Sequence, residues 1–223
     1  MDPKKIAAEK ATSYVRSGMI VGLGTGSTAL FAIAAIGKMV NQGLSIKAVA
    51  SSVVSEQKAK DAGITISPFD QIDQIDIYID GADEVDAGLN LIKGGGGALL
   101  REKILAFNSR EFIVIVDSSK LADSLGHFPL PVELTPFAFQ LTQRLLEKLG
   151  CTATIRQANK KNYLTDNGNL IADCDFKKIT DPEKLNSSIR VIPGVVEIGL
   201  FLKSMVSKLI IGYENGDVKL IGN

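Results

Sequence analysis

Residues 19–40 read MIVGLGTGSTALFAIAAIGKMV. A short apolar run stops in glycines, two hydroxyl residues follow, and a long stretch of Ala, Leu, Ile and Met completes the segment. An apolar run bounded by glycine suits a strand buried on both faces of a parallel sheet. The stretch from Ser27 to Val40 predicts a largely buried helix. The same alternation extends outward in both directions. Residues 3–17 set Ile6, Ala7, Ala11, Tyr14 and Val15 at helical spacing, and residues 46–50 and 75–79 predict two further strands. Helices are expected over 55–62, ended by Gly63, and over 98–107, with another strand over 111–116 (EFIVIV). Strands alternating with helices predict an α/β fold, a Rossmann-like parallel sheet flanked by helices.

The pattern changes near Phe128, where Pro129, Pro131 and Pro136 interrupt the alternation. A helix over 137–149, a strand over 152–156 and a hairpin over 163–175 turning at Asp166-Asn167-Gly168 are expected next. Asp181-Pro182-Glu183 reads as another helix start. Residues 129–200 therefore predict a smaller α+β, ferredoxin-like subdomain, with 1–128 plus 201–223 as the Rossmann-like domain. The tail KLIIGYENGDVKLI forms a second hairpin at Asn215-Gly216, placed to rejoin the first sheet.

Lys plus Arg equals Asp plus Glu at 25 each. A clustered basic excess, the electrostatic mark of nucleic-acid or membrane partners, is therefore not expected. The longest apolar runs are too short to span a bilayer, and the charged N-terminal segment lacks a signal peptide's apolar centre. Cys151 and Cys174 form no CxxC pair and read as reduced core residues. His127 is the one histidine, which argues against a His-rich metal site; it reads as a structural or surface residue. A cytoplasmic, soluble enzyme or binding protein is the expectation.

In parallel sheets ligands gather at the carboxyl ends of strands. Three polar clusters fall at such predicted ends: Gly24-Thr25-Gly26-Ser27-Thr28, Asp80-Gly81-Ala82-Asp83 and Asp117-Ser118-Ser119-Lys120. The first opens a helix and offers N–H groups and hydroxyls to an anion. It lacks the third glycine of GxGxxG and any GK[ST], and the second strand ends in Ala50-Ser51-Ser52, with no acid for a ribose. A small phosphate is favoured over a dinucleotide or a plain turn. Residues 80–103, DGADEVDAGLNLIKGGGGALLREK, place acids, Lys93 and four glycines in one segment. Such a glycine run makes sense where backbone must approach something closely. The DxxD loop is open to three readings, a ligand loop, a metal site or a solvated turn. Glu102, between Arg101 and Lys103, is open to two, a surface charge or an active-site acid. The residues point to an enzyme or sensor for a small phosphorylated metabolite, with carboxylate and lysine chemistry favoured over redox or thiol chemistry.

VGLGTGSTA, DGADEVD, KGGGGALLREK and FPLPVE, in this order and at these distances, resemble ribose-5-phosphate isomerases of the A type. The resemblance extends through IPGVVEIGLF to the C-terminal hairpin. It implies interconversion of D-ribose 5-phosphate and D-ribulose 5-phosphate through an enediolate, in the pentose phosphate pathway, with no metal or organic cofactor. It implies that Glu102 is the general base and that Lys93 stabilises the enediolate oxygen. Asp80 and Asp83, with Gly81 and Ala82 between them, would hold substrate hydroxyls and shuffle oxygen-bound protons. Gly94, Gly95 and Gly96 would lend N–H groups. Thr25, Gly26, Ser27 and Thr28 would bind substrate with Lys120, and Lys4 would approach the phosphate or simply lie on a helix surface. A homodimer or homotetramer joined through the smaller domain is implied, suiting the apolar IPGVVEIGLF segment. The alternatives are a non-catalytic sugar-phosphate sensor and a related enzyme for an amino-sugar phosphate or coenzyme A thioester. A sensor of the repressor type needs a helix-turn-helix ahead of the first strand, where only about eighteen residues stand. Intact DGAD, KGGGG and LREK favour the isomerase.

Overall fold

The computed structural model describes residues 2–222, which gather into two compact units. The first unit holds the described residues up to Ala82, Arg101–Lys120, and the described residues from Ser204 onward. The second holds Asp83–Leu100 and Leu121–Lys203.

A six-stranded sheet organises the first unit, in the order Val218–Gly222, Lys208–Gly212, Ser109–Asp117, Ile75–Asp80, Ile20–Leu23, Lys47–Ala50. All neighbours run parallel except the terminal hairpin of Lys208–Gly212 with Val218–Gly222. The C-terminal hairpin thus rejoins the first sheet, as its sequence predicts. Val21, Leu23, Ile77, Ile79, Ile113 and Ile115 are buried among Ala7, Ala11, Ile33 and Ile36 of the helices Pro3–Thr12 and Ser27–Asn41. Strands buried this way are largely apolar on both faces, which accounts for their richness in Val and Ile. The helix Pro3–Thr12 begins at Asp2, whose side chain accepts from the Lys4 N–H at 2.9 Å, with Pro3 supplying a first turn that needs no donor.

The strand order reverses beside Ile20–Leu23. From that strand the chain passes to Lys47–Ala50 on one side, and then to Ile75–Asp80 on the other. The two loops leaving the strand ends diverge there, the position at which open parallel sheets bind ligands. The Gly24 N–H donates to the Ile79 carbonyl at 2.9 Å, so the first glycine cluster and the DGAD loop start side by side.

The second unit contains a four-stranded antiparallel sheet ordered Val195–Ile198, Leu130–Leu134, Leu170–Asp175, Thr152–Ile155. With the helices Phe139–Glu147 and Pro182–Arg190, this is the βαββαβ arrangement of a ferredoxin-like unit. Leu130, Val132, Leu134, Leu146, Ala172, Ile189 and Ile198 fill its core together with Cys151 and Cys174, both unbridged thiols. The hairpin expected over 163–175 is corrected here. Leu170–Asp175 pairs with Thr152–Ile155, and residues 157–162 make their own two-residue hairpin. Asn159 and Lys160 take positive φ there, a tight reversal that the Asp166-Asn167-Gly168 signal overshadows in the sequence.

A further small sheet joins Leu200–Phe201, Leu91–Ile92, Glu84–Asp86 and Leu121–Ala122. These pairings draw residues 83–100 into the second unit, whereas the strand–helix alternation of the sequence assigns them to the first. Two- and three-residue strands are too short to show a period. Among the described residues no helix is long and apolar enough to cross a membrane.

Candidate active site

Within the first unit the candidate residues are arranged around two glycines. A Cβ on Gly22 would lie 2.7 Å from Cδ2 of Tyr78, and one on Gly24 would lie 2.6 Å from Cα of Asp80 and overlap its carboxylate. Glycine on this face of Ile20–Leu23 therefore clears room for Tyr78 and Asp80, both fully buried. Asp80 is held on every side. Its Oδ1 accepts from the Thr25 N–H at 3.0 Å and the Gly81 N–H at 2.7 Å, and its Oδ2 accepts from the Tyr78 hydroxyl. These donors offset the cost of burying a carboxylate. The Tyr78 ring stacks on Phe112 with centroids 5.0 Å apart. Burial above all, then the negative charges of Asp80 and Glu102, hold the phenol protonated well above its ordinary range.

The Thr25 side chain turns into a cluster of hydroxyls. Its Oγ1 lies 2.7 Å from Ser51 Oγ, 2.9 Å from Ser52 Oγ and 3.2 Å from Ser55 Oγ. The Ser55 hydroxyl donates to the Gly24 carbonyl at 2.7 Å. These serines organise the loop, and in the sequence Ser51 and Ser52 stand out only as the absence of an acid. Gly26 then turns the chain with φ +104° and caps the helix Ser27–Asn41 without any side-chain hydrogen bond. The helix's first N–H groups are left for another acceptor. The Lys4 ammonium donates to Ser27 Oγ at 3.1 Å, so Lys4 reaches this helix start rather than lying idle on its own helix. Thr28 is buried and its Cβ lies in van der Waals range of the Cβ position of Gly81. Ala82 is half-buried. Lys120 is half-buried at the end of the single turn Ser118–Lys120, after Asp117. Glu102 sits in the first turn of the helix Leu99–Phe107 and is only 2% exposed. A carboxylate is favoured electrostatically at that end of a helix.

Within the second unit lie Asp83, Lys93 and the glycine run. Asp83 Oδ2 accepts from the Gly95 N–H at 2.7 Å. The Gly97 N–H closes a turn on the Gly94 carbonyl at 3.0 Å, with φ +101° at Gly94 and +83° at Gly97. Lys93 is 2% exposed. Its N–H donates to Gly199 O at 2.8 Å and its ammonium stands 5.4 Å from the centroid of the Phe201 ring. Around this loop lie residues with no local sign in the sequence: Arg156, Asp173 and Tyr163. Arg156 Nη1 donates to the carbonyls of Gly94 at 2.9 Å and Gly95 at 3.1 Å. They are joined by a fold that brings positions about sixty residues apart together.

His127 keeps a largely exposed ring, with Nδ1 3.1 Å from Glu84 Oε1. Glu84 is buried and also accepts from the Gly126 N–H at 2.8 Å, so the pair fastens a loop. Among the described residues no group of three or more His, Cys, Asp or Glu is placed to hold a metal ion.

A parallel sheet whose switch point is lined by buried acid and hydroxyls defines an α/β enzyme working on a small polar metabolite. The profile of the family described as Ribose 5-phosphate isomerase A (phosphoriboisomerase A) matches residues 47–216. The chain is 48% identical over 217 residues to the ribose-5-phosphate isomerase A of Bacillus mycoides, covering 97% of this chain and 98% of the relative. Its fold is similar to ribose 5-phosphate isomerase A from Methanocaldococcus jannaschii, with TM-score 0.93 and 40% identity, covering 100% of this chain and 99% of that one. It is equally similar to a D-ribose-5-phosphate isomerase in complex with phospho-erythronic acid, with TM-score 0.94 and 38% identity, covering 100% and 98%. The chain belongs to the ribose 5-phosphate isomerase A family.

Proposed function

We propose that the chain interconverts D-ribose 5-phosphate and D-ribulose 5-phosphate by proton transfer through an enediolate, with Glu102 as the base. The observation that carries this reading is a carboxylate only 2% exposed, set in a first helical turn just after the glycine loop. In the aldose-to-ketose direction Glu102 takes the proton from C2, and the electron pair moves toward the C1 carbonyl oxygen. A proton passes from O2 to O1, and Glu102 returns its proton to C1. One carboxylate serves both carbons, the economy that general acid–base catalysis allows.

Lys93, buried and cationic, is assigned to the oxygen that gains negative charge. Asp83 is assigned to the substrate hydroxyls and the O1/O2 proton, since its bond to Gly95 occupies Oδ2. Asp80, which already accepts from Thr25, Gly81 and Tyr78, is assigned to holding the loops of Thr25 and Gly81–Ala82. The uncapped helix start at Gly26, Ser27 and Thr28, with Lys4 beside Ser27, is assigned to the phosphate, and Lys120 to the substrate. Gly94, Gly95 and Gly96 lend backbone N–H groups. The complex of a relative with phospho-erythronic acid supports a phosphorylated ligand. The reading calls for no cofactor.

The enzyme is proposed to work in the cytoplasm, without nucleic-acid or membrane partners, as its balanced charge suggests. A homodimer or homotetramer is proposed as well. Exposed Phe137, Leu141 and Leu145 recur every four residues on and before the helix Phe139–Glu147, while Ile198, Leu200 and Phe201 of the IPGVVEIGLF segment are buried. The test is incubation with ribose 5-phosphate in D₂O with EDTA, followed by NMR. Ribulose 5-phosphate with deuterium at the transferred position is expected. Failure to convert the sugar under any condition overturns the function, and conversion abolished by EDTA overturns the cofactor-free chemistry.

A further inference from the structure

The glycine run poses a physical problem that the proposed reaction does not solve. Glycine is the residue least able to hold its own backbone direction, yet a loop that donates N–H groups to a reacting molecule has to be held in place before the molecule arrives. Something outside the loop must hold its peptide planes.

We propose that Arg156 is a positioning residue that sets the direction of the glycine-loop N–H groups, an inference that rests on the isomerase reading above. Its guanidinium uses four donor contacts at once. Nη1 donates to Gly94 O at 2.9 Å and Gly95 O at 3.1 Å, while Nε and Nη2 donate to Asp173 Oδ2 at 2.9 Å and Oδ1 at 2.5 Å. Asp173 belongs to the strand Leu170–Asp175 at the middle of the antiparallel sheet, so the clamp is rooted in a rigid element. Tyr163 covers the other side. Its ring lies 5.9 Å from the guanidinium carbon, and a Cβ on Gly97 would lie 2.7 Å from its Cε1.

Geometry then fixes the donors. The C=O and N–H of a trans peptide point opposite ways. With the Gly94 and Gly95 carbonyls both drawn to Arg156, the N–H groups of Gly95 and Gly96 both point away from it. Two successive N–H groups on one side form a concavity for negative charge. The first of them meets Asp83 at 2.7 Å, so one peptide is gripped at its carbonyl by Arg156 and at its N–H by a proposed substrate ligand. A lysine could keep the positive charge but not the planar fork that serves Asp173 and two carbonyls together.

The test compares wild type with Arg156→Lys, Arg156→Ala and Asp173→Asn. Arg156→Ala is expected to lower kcat by about 10²-fold, the scale of a small misplacement in an active site, and Asp173→Asn by about tenfold. KM for ribose 5-phosphate should change much less than kcat, and Arg156→Lys should recover only part of the loss. Millimolar guanidinium should restore activity to Arg156→Ala, whereas urea and sodium chloride should not; general loss of structure would not respond this way. Independently of turnover, the amide signals of Gly95 and Gly96 in ¹⁵N spectra should shift and exchange faster in Arg156→Lys, the mildest change. Unaltered glycine amides with kcat near wild type in Arg156→Lys and Asp173→Asn would overturn the proposal. A wild-type protein that leaves ribose 5-phosphate unchanged would overturn the isomerase reading instead, while the amide measurement still decides the clamp.

Discussion

Two glycine segments of this chain look alike in sequence and differ in what the glycine is for. Gly22 and Gly24 lie where their backbone angles would suit other residues, and only Tyr78 and Asp80 forbid a side chain. Gly94 and Gly97 take left-handed angles, and Arg156 and Asp83 hold the peptides from outside. In the first segment glycine is a vacancy filled by a neighbour, and its loss should cost folding. In the second the space is also taken, by Tyr163 beside Gly97 and Asp83 beside Gly95, but glycine adds a freedom of direction constrained from elsewhere, and its disturbance should cost turnover.

The largest expected effect belongs to the helix that follows the second segment. Glu102→Gln keeps side-chain volume and removes the proposed base, so kcat should fall by about 10²-fold or more, with thermal stability and substrate binding retained. Steady-state kinetics with a thermal melt checks this. Turnover near normal would move the base to Asp83 and detach the reaction from this stretch.

Substitution in the segments themselves tests the contrast directly. Gly24→Ala forces a methyl group against the carboxylate and Cα of Asp80. Overpacking of this kind costs about 3 kcal/mol, which for a protein of this size lowers Tm on the order of 6–12 °C. In Gly95→Ala the new Cβ would stand 2.6 Å from Asp83 Oδ1, and the φ there is ordinary, so the carboxylate must move and little else. Its kcat/KM should drop about tenfold while Tm stays close to wild type. Equal losses of Tm in the two variants would erase the distinction between the segments.

How much of this was legible beforehand follows the same division. The run 19–40 and the strands around it carry periods long enough to read, so the parallel sheet, the smaller antiparallel unit and the terminal hairpin could be predicted from sequence. The assignment of residues 83–100 could not, because Glu84–Asp86 and Leu91–Ile92 are too short to show a period and are defined only by their partners. The candidate acids and lysines stood in motifs, and the family resemblance named their roles. Tyr78, Ser55 and Arg156 carried no such mark. Tyr78 looks like one more apolar strand residue in IDIYI, and Arg156 meets the glycine loop through contacts that span about sixty residues. The sequence showed that the glycines were needed but not what occupied the space beside them.

The smallest effect tests the occupant of the first segment through pH. Tyr78→Phe keeps the ring stacked on Phe112 and removes the hydroxyl that donates to Asp80. A hydrogen bond to a charged group contributes about 2 kcal/mol, so Tm at neutral pH should fall on the order of 4–8 °C. The pH dependence follows from the phenol's pKa, raised first by burial and then by the charges of Asp80 and Glu102. Below the unfolded value of about 10 the phenol is protonated in both states, and its contribution is fully present. Above it the unfolded chain releases a proton that the folded chain keeps, so stability is lost as pH rises toward the folded value. The Tm of wild type should therefore fall faster than that of Tyr78→Phe above about pH 10, narrowing the gap between them. Melting curves that stay parallel there would mean that Tyr78 ionises as easily folded as unfolded, and that Gly22 does not open onto the dry, filled space its missing side chain implies.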